Sequence, residues 1–190
     1  MTRILLSSAA AAALLSACAT PPPPPPPPAM PAPMPVAMQP QLSQAGMDCV
    51  IRLSTANQYD IQAGQQALQR STNPDVRSFA QTMIDQHTQG LAQIAAAMQS
   101  INMNPPPVQL TPDLTTRLNG VGSAANFDAA YAQDMIAGHQ DALALAQSCA
   151  ANGGPPIASV AGGMVPVIQN HLSMAQALAA NLGHRPGERG

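Results

Sequence analysis

Between Asn73 and Ile101 apolar side chains return every three or four residues, at Val76, Phe79, Ala80, Met83, Leu91, Ile94, Met98 and Ile101. That period is one face of an α-helix, and it restricts the chain to folds in which such faces meet. Asn73 is a good helix N-cap and Pro74 a good first helical residue, with Asp75 placed to meet the positive end of the dipole. His87 stands in the middle of the face, where a core residue belongs. An imidazole buried there without a partner costs about 1–3 kcal/mol, so the rest of the chain must supply one.

Three more stretches carry the same period. Gln44–Arg70 has Met47, Val50, Leu53, Ile61 and Leu68, but sets Asn57, Asp60 and Gly64 at positions expected to be apolar. A third helix starts near Asn126 and carries Phe127, Tyr131, Met135, His139, Leu143, Ala146 and Cys149. After Asn152-Gly153-Gly154-Pro155-Pro156, a fourth carries Ile157, Val160, Met164, Ile168, His171, Ala175 and Leu178. Ser71–Pro74 is a tight turn, whereas Asn102–Asn126 is a long connection with Pro105–Pro107, Gly120 and Gly122. Only a short helix, Pro112–Leu118 behind the cap Thr111, is predicted inside it. The Ala- and Gln-rich sequence without strand alternation predicts an all-α fold over residues 44–183.

Two cysteines act as a ruler. In an oxidising compartment Cys49 and Cys149 tend to pair, although two buried free thiols remain an alternative. If they pair, the start of the first helix lies beside the end of the third, and the two run antiparallel. A simple up-down-up-down bundle places those ends apart. The long connection between helices two and three resolves this by crossing the bundle, giving an antiparallel four-helix bundle of ferritin-like topology. Asp60 lies eleven residues from Cys49, and His139 ten from Cys149, which is about 15–16 Å of helix in each case. Counted from the turns, His87 and His171 fall within about one helical turn of the same depth.

The N-terminus reads as an address. Residues 1–17 have one basic residue, an apolar run and small residues, as a signal peptide does. Leu15-Ser16-Ala17-Cys18 resembles a bacterial lipobox, which makes Cys18 the expected lipidation site; ordinary signal cleavage beside an incidental cysteine is the alternative. Ala19 after the cysteine points to the periplasmic side of the outer membrane, with the membrane contacted through the lipid anchor. Residues 18–43, with the run Pro21–Pro28, are expected to form an extended proline-rich linker, and residues 184–190 a disordered tail. A net charge of −2, 8% charged residues and 2% aromatics exclude a nucleic-acid binder.

Three segments carry a family resemblance. They are Asn73-Pro74-Asp75-Val76-Arg77-Ser78-Phe79-Ala80-Gln81-Thr82-Met83-Ile84 leading to His87, Phe127-Asp128 with Tyr131 and His139-Gln140, and Val165-Pro166 with His171-Leu172 and Met174-Ala175. Over roughly Met47–Leu182 the chain resembles the bacterial ferritin-like "domain of unknown function 4142" family. The resemblance implies a secreted or lipid-anchored four-helix domain of uncharacterised activity, with His87, His139, His171 and an acid at Asp60 as its polar core positions. The chain departs from the family pattern in having Gln86 before the first histidine and Asp, not Glu, at position 60.

The residues three before the histidines are Ile84, Ile136 and Ile168, so the Glu-x-x-His motifs of di-iron oxidases are missing. No catalytic nucleophile or phosphate-binding loop stands out. His87, His139, His171 and Asp60 instead suit one transition-metal ion such as copper or zinc. Met83, Met135 and Met174, each one turn from a histidine, are candidate accessory thioether ligands or simply core filling. The competing reading is a metal-free hydrogen-bonded core in which Asp60 holds one imidazolium. Three functions follow: a metal-binding module, a structural or interaction bundle of the envelope, or an oxidase with an unusual centre.

Overall fold

The computed structural model describes residues 41–184. Five helices follow one another: α1 Gln44–Arg70, α2 Pro74–Ser100, α3 Pro112–Ser123, α4 Phe127–Asn152 and α5 Ile157–Gly183. Side-chain caps start the first four. Ser43 accepts from the Gly46 amide at 3.1 Å, and Asn73 from Asp75 at 2.9 Å. Thr111 accepts from Leu114 at 3.3 Å, and Asn126 from Ala129 at 3.3 Å. Each such cap satisfies an amide that the helix cannot and contributes about 1 kcal/mol. None of the described helices is long and apolar enough to cross a membrane.

The four long helices form an all-α antiparallel bundle in which α1 packs on α2 and α4, and α5 on α4 and α2. Cys49 and Cys149 are joined, with Cα atoms 5.7 Å apart, so the start of α1 meets the end of α4. The segment between α2 and α4 therefore runs the length of the bundle, as the cysteine spacing predicts. Gly64, one of the anomalous positions of α1, marks the close approach of the first hairpin. A Cβ there would lie 3.0 Å from the Ala80 carbonyl oxygen and 2.9 Å from Ile84.

The crossover differs from expectation in one respect: α3 continues to Ser123, past Gly120 and Gly122. Packing overrides the two glycines. Val121 is buried against the core, and a Cβ on Gly122 would lie 2.3 Å from the Gln66 amide nitrogen. Polar contacts hold the helix in place. Arg117 pairs with the Asp134 carboxylate, donates to its backbone carbonyl at 2.7 Å, and lies 5.1 Å over the Tyr59 ring. Tyr59 donates its hydroxyl to the same carboxylate at 2.7 Å.

The core divides into two apolar lobes. One gathers Val76, Phe79, Met83, Tyr131, Met135 and Leu178. The other, at the disulfide end, gathers Val50, Leu53, Ile94, Met98, Ile157 and Ile168. At about 1.5–3 kcal/mol for each large side chain buried, the lobes supply the main force holding the helices together. Between them, every long helix turns polar. Cys18, the signal peptide and nearly all of the linker, through residue 40, lie outside the described residues, as do residues 185–190.

Candidate metal centre

α1 contributes Asn57 and Asp60 to the polar layer, α2 contributes His87, α4 His139 and α5 His171, and all five are buried. The imidazole centroids are separated by 5.1, 5.3 and 5.5 Å. One ring nitrogen from each histidine lies within 4.8 Å of the other two. The equal depth read from the helix lengths is therefore real. It arises because 1.5 Å of rise per residue leaves little freedom along a helix once its ends are pinned.

The outward nitrogens have fixed partners. Asn57 donates its amide to the Leu53 carbonyl at 2.7 Å, which turns its Oδ1 toward His87 Nδ1 at 3.0 Å. His139 Nδ1 faces the Met135 carbonyl at 2.8 Å, and His171 Nε2 faces Gln86 Oε1 at 2.7 Å. A carbonyl or amide oxygen only accepts, so each of these ring nitrogens carries the proton. The lone pairs are thereby assigned to His87 Nε2, His139 Nε2 and His171 Nδ1. Those three atoms are buried and make no hydrogen bond among the described residues. An imidazole oriented by an oxygen behind it is the usual arrangement of a metal-binding histidine.

Electrostatics favour the neutral form of His87 and His171. Burial pushes His87 below its ordinary value of 6.5, outweighing the pull of Asp60 in the opposite direction, and His139 adds to the lowering. Burial, then His87 and His139, push His171 down to about 3. Asp60 Oδ2 stands 3.5 Å from His87 Nε2, and its Oδ1 is buried without a hydrogen bond. Acceptor thus faces acceptor where His87 meets Asp60. Leaving one buried polar atom unmatched costs about 1–3 kcal/mol, and a cation among them would satisfy several together.

The four residues singled out from sequence stand in two relations. The histidines form the mutually close set, and Asp60 flanks it beside His87 without belonging to it. Met83 and Met135 are fully buried in the apolar lobe with Phe79 and Tyr131. Met174 packs against that lobe, and its sulfur accepts from Asn170 at 3.5 Å. Gly90 is a supporting position that sequence reasoning passes over, for a Cβ there would lie 2.4 Å from Asn57 Oδ1. Gln86 was visible only as a departure from a family pattern, and the Met135 carbonyl, as backbone, leaves no trace in residue type.

A cleft of about 560 Å³ reaches this layer from the disulfide half of the bundle, with Asp60, His87 and His171 among its lining residues. A smaller one of about 340 Å³, lined by Tyr59, Asp60 and Arg117, approaches Asp60 from beneath α3.

Fold and layer together define a crossover-connected helical bundle with a buried three-histidine cluster. The family model "Domain of unknown function (DUF4142)" matches residues 31–178, and the chain belongs to that family. No curated protein matches it. Among solved structures, the DUF305 fragment from Deinococcus radiodurans aligns with a TM-score of 0.65 at 15% identity, over 75% of this chain and 99% of that one. CopM in its Cu(II)-bound form aligns with a TM-score of 0.60 at 16% identity, over 72% of this chain and 97% of that one. Its Cu(I)-bound form gives 0.61 at 16% identity, over 73% and 98%. At these identities the likeness is one of fold.

Proposed function

We propose that this protein is an envelope-anchored, ferritin-like bundle that holds one transition-metal ion, copper or zinc, through His87, His139 and His171. The observation carrying this reading is geometric: the three histidines bring ring nitrogens within 4.8 Å of one another, each has one buried ring nitrogen without a hydrogen bond, and the other nitrogen of each ring faces an oxygen. Neutral imidazoles are the required ligand form, and the low values of His87 and His171 favour it. Capture of CopM, a protein of similar fold, with Cu(II) and Cu(I) lends the copper choice support. Asp60 tempers the charge of the bound ion from beside His87. The anchor is Cys18, with the proline-rich segment as the stalk that carries the domain away from the outer membrane.

Elemental analysis of untagged protein after metal loading tests the centre, alongside the triple change of His87, His139 and His171 to Ala. One ion per chain, lost in the triple variant, is expected. A wild-type chain that retains no stoichiometric copper or zinc would leave only a hydrogen-bonded polar core. Labelled palmitate incorporated by wild type and not by Cys18→Ser tests the anchor.

A further inference from the structure

The cleft has a chemistry that the metal reading leaves unused. It falls within the roughly 300–1,000 Å³ typical of small-molecule sites. Two stripes form its long walls: Gly90, Gln93 and Ala97 on α2, and Val160, Gly163 and Val167 on α5. Gln89, Gln93 and Ser159 are exposed at its mouth, so it opens to solvent between the two helices. Its inner end is different. There His87 and His171, 6% and 1% exposed, meet Asp60, 4% exposed, and each has a side-chain atom without a hydrogen bond. His139 is fully buried and is not part of the lining, so the triad shows the cleft only one side.

Resting on the metal reading, we propose that the cleft admits a small molecule with an apolar body and one neutral donor atom, which ligates the ion beside His87 and His171. Three imidazoles leave a tetrahedral ion one position short, the arrangement of zinc sites that take an exogenous ligand. His87 and His171 line the cleft and His139 does not, so that position faces the cleft. The donor is neutral because no lysine or arginine lines the cleft while a carboxylate does. The body is apolar because Leu53, Ala97, Val160, Met164, Val167 and Ile168 supply apolar side chains along the walls.

Gly163 provides a clean test. A Cβ there meets nothing within 4 Å, so Gly163→Leu narrows the cleft without pushing on the core. Leucine is also the better helix former, which keeps α5 intact. Wild type and Gly163→Leu are loaded with Cu(II), their copper content is measured, and each is titrated with imidazole and with 4-phenylimidazole while the copper spectrum is followed. In wild type the phenyl compound is expected to bind at least about tenfold more tightly, because its ring is buried along the walls. In Gly163→Leu, with copper content unchanged, that advantage disappears while imidazole still binds. Stoichiometric copper with no spectral response to either compound would overturn the proposal alone, with Asp60 or another group closing the position. Equal affinities in wild type, or an advantage that persists in Gly163→Leu, would also overturn it. Failure of wild type to retain copper or zinc would instead remove the metal reading on which it rests.

Discussion

His171 on α5 donates its Nε2–H to Gln86 Oε1 on α2, 2.7 Å away, and so leaves its buried Nδ1 as the nitrogen without a hydrogen bond. The bond spans the seam on which the large cleft opens. Its acceptor is a partly exposed side chain, so it can be removed at little cost to the core. Gln86→Ala is expected to weaken metal binding by about 10–100-fold, the usual effect of losing a partner behind a ligating histidine. Gln86→Glu keeps the acceptor and should remain close to wild type. Competition titration against a chromophoric chelator measures both, and equal affinity in wild type and Gln86→Ala would remove this role from Gln86.

Gly90 protects the orientation of His87. The Cβ of Gly90→Ala would lie 2.4 Å from Asn57 Oδ1, the atom that accepts from His87. Replacing a helical glycine by alanine otherwise gains about 1 kcal/mol, so a simple propensity argument predicts a more stable protein. The expected outcome is weaker metal binding, by roughly tenfold, without that gain in stability. Nitrogen-15 shifts of the metal-free protein give a direct readout. Wild type should show the proton on Nδ1 of His87 and His139 and on Nε2 of His171, and Gly90→Ala should lose the single His87 tautomer.

Acid should destabilise the metal-free fold before the carboxylates titrate. His87 and His171 have folded values below 6.5, and that of His171 is about 3. Below pH 6.5 the unfolded chain takes up protons that the folded chain refuses. The stabilisation is therefore complete above about pH 6.5 and drains as the pH falls below it, at up to about 1.4 kcal/mol per unit for each imidazole, the share of His171 draining toward pH 3. Urea unfolding at pH 7.5, 6.0 and 5.0 should give progressively lower midpoints. A flat profile across that range would mean that the rings are not held neutral.

The disulfide closes a separation of 100 residues, and in the chain-entropy model such a loop contributes about 4.7 kcal/mol. Cys49→Ser with Cys149→Ser should lower the melting temperature by ~10–20 °C while keeping the helical signal. Circular dichroism melts check this. An unchanged melting temperature would show that residual structure already confines the reduced, unfolded chain.

The bundle was legible because its determinants are periodic. The stripes through Val76–Met98 and Phe127–Cys149 identify the buried faces, and Cys49 with Cys149 orients two of them. The same periodicity brought out Asn57, Asp60 and Gly64 as anomalies. Two face the histidine layer and the third admits α2 at close range. The orientation of each ring was not legible, since it depends on a rotamer, a backbone carbonyl and a neighbour on another helix. The full length of α3 was also hidden, because Gly120 and Gly122 read as breakers until Val121 is seen in the core.

The histidines are divided unequally between two hairpins: α1–α2 carries His87, and α4–α5 carries His139 and His171. The disulfide bridges the same two halves, from Cys49 to Cys149. An ion held by all three rings would be a second rivet across one joint, so separating the hairpins would require both fastenings to open. A chain loaded with an ion should then outlast an empty one in reductant, and the redox state of its surroundings would matter most to chains without one.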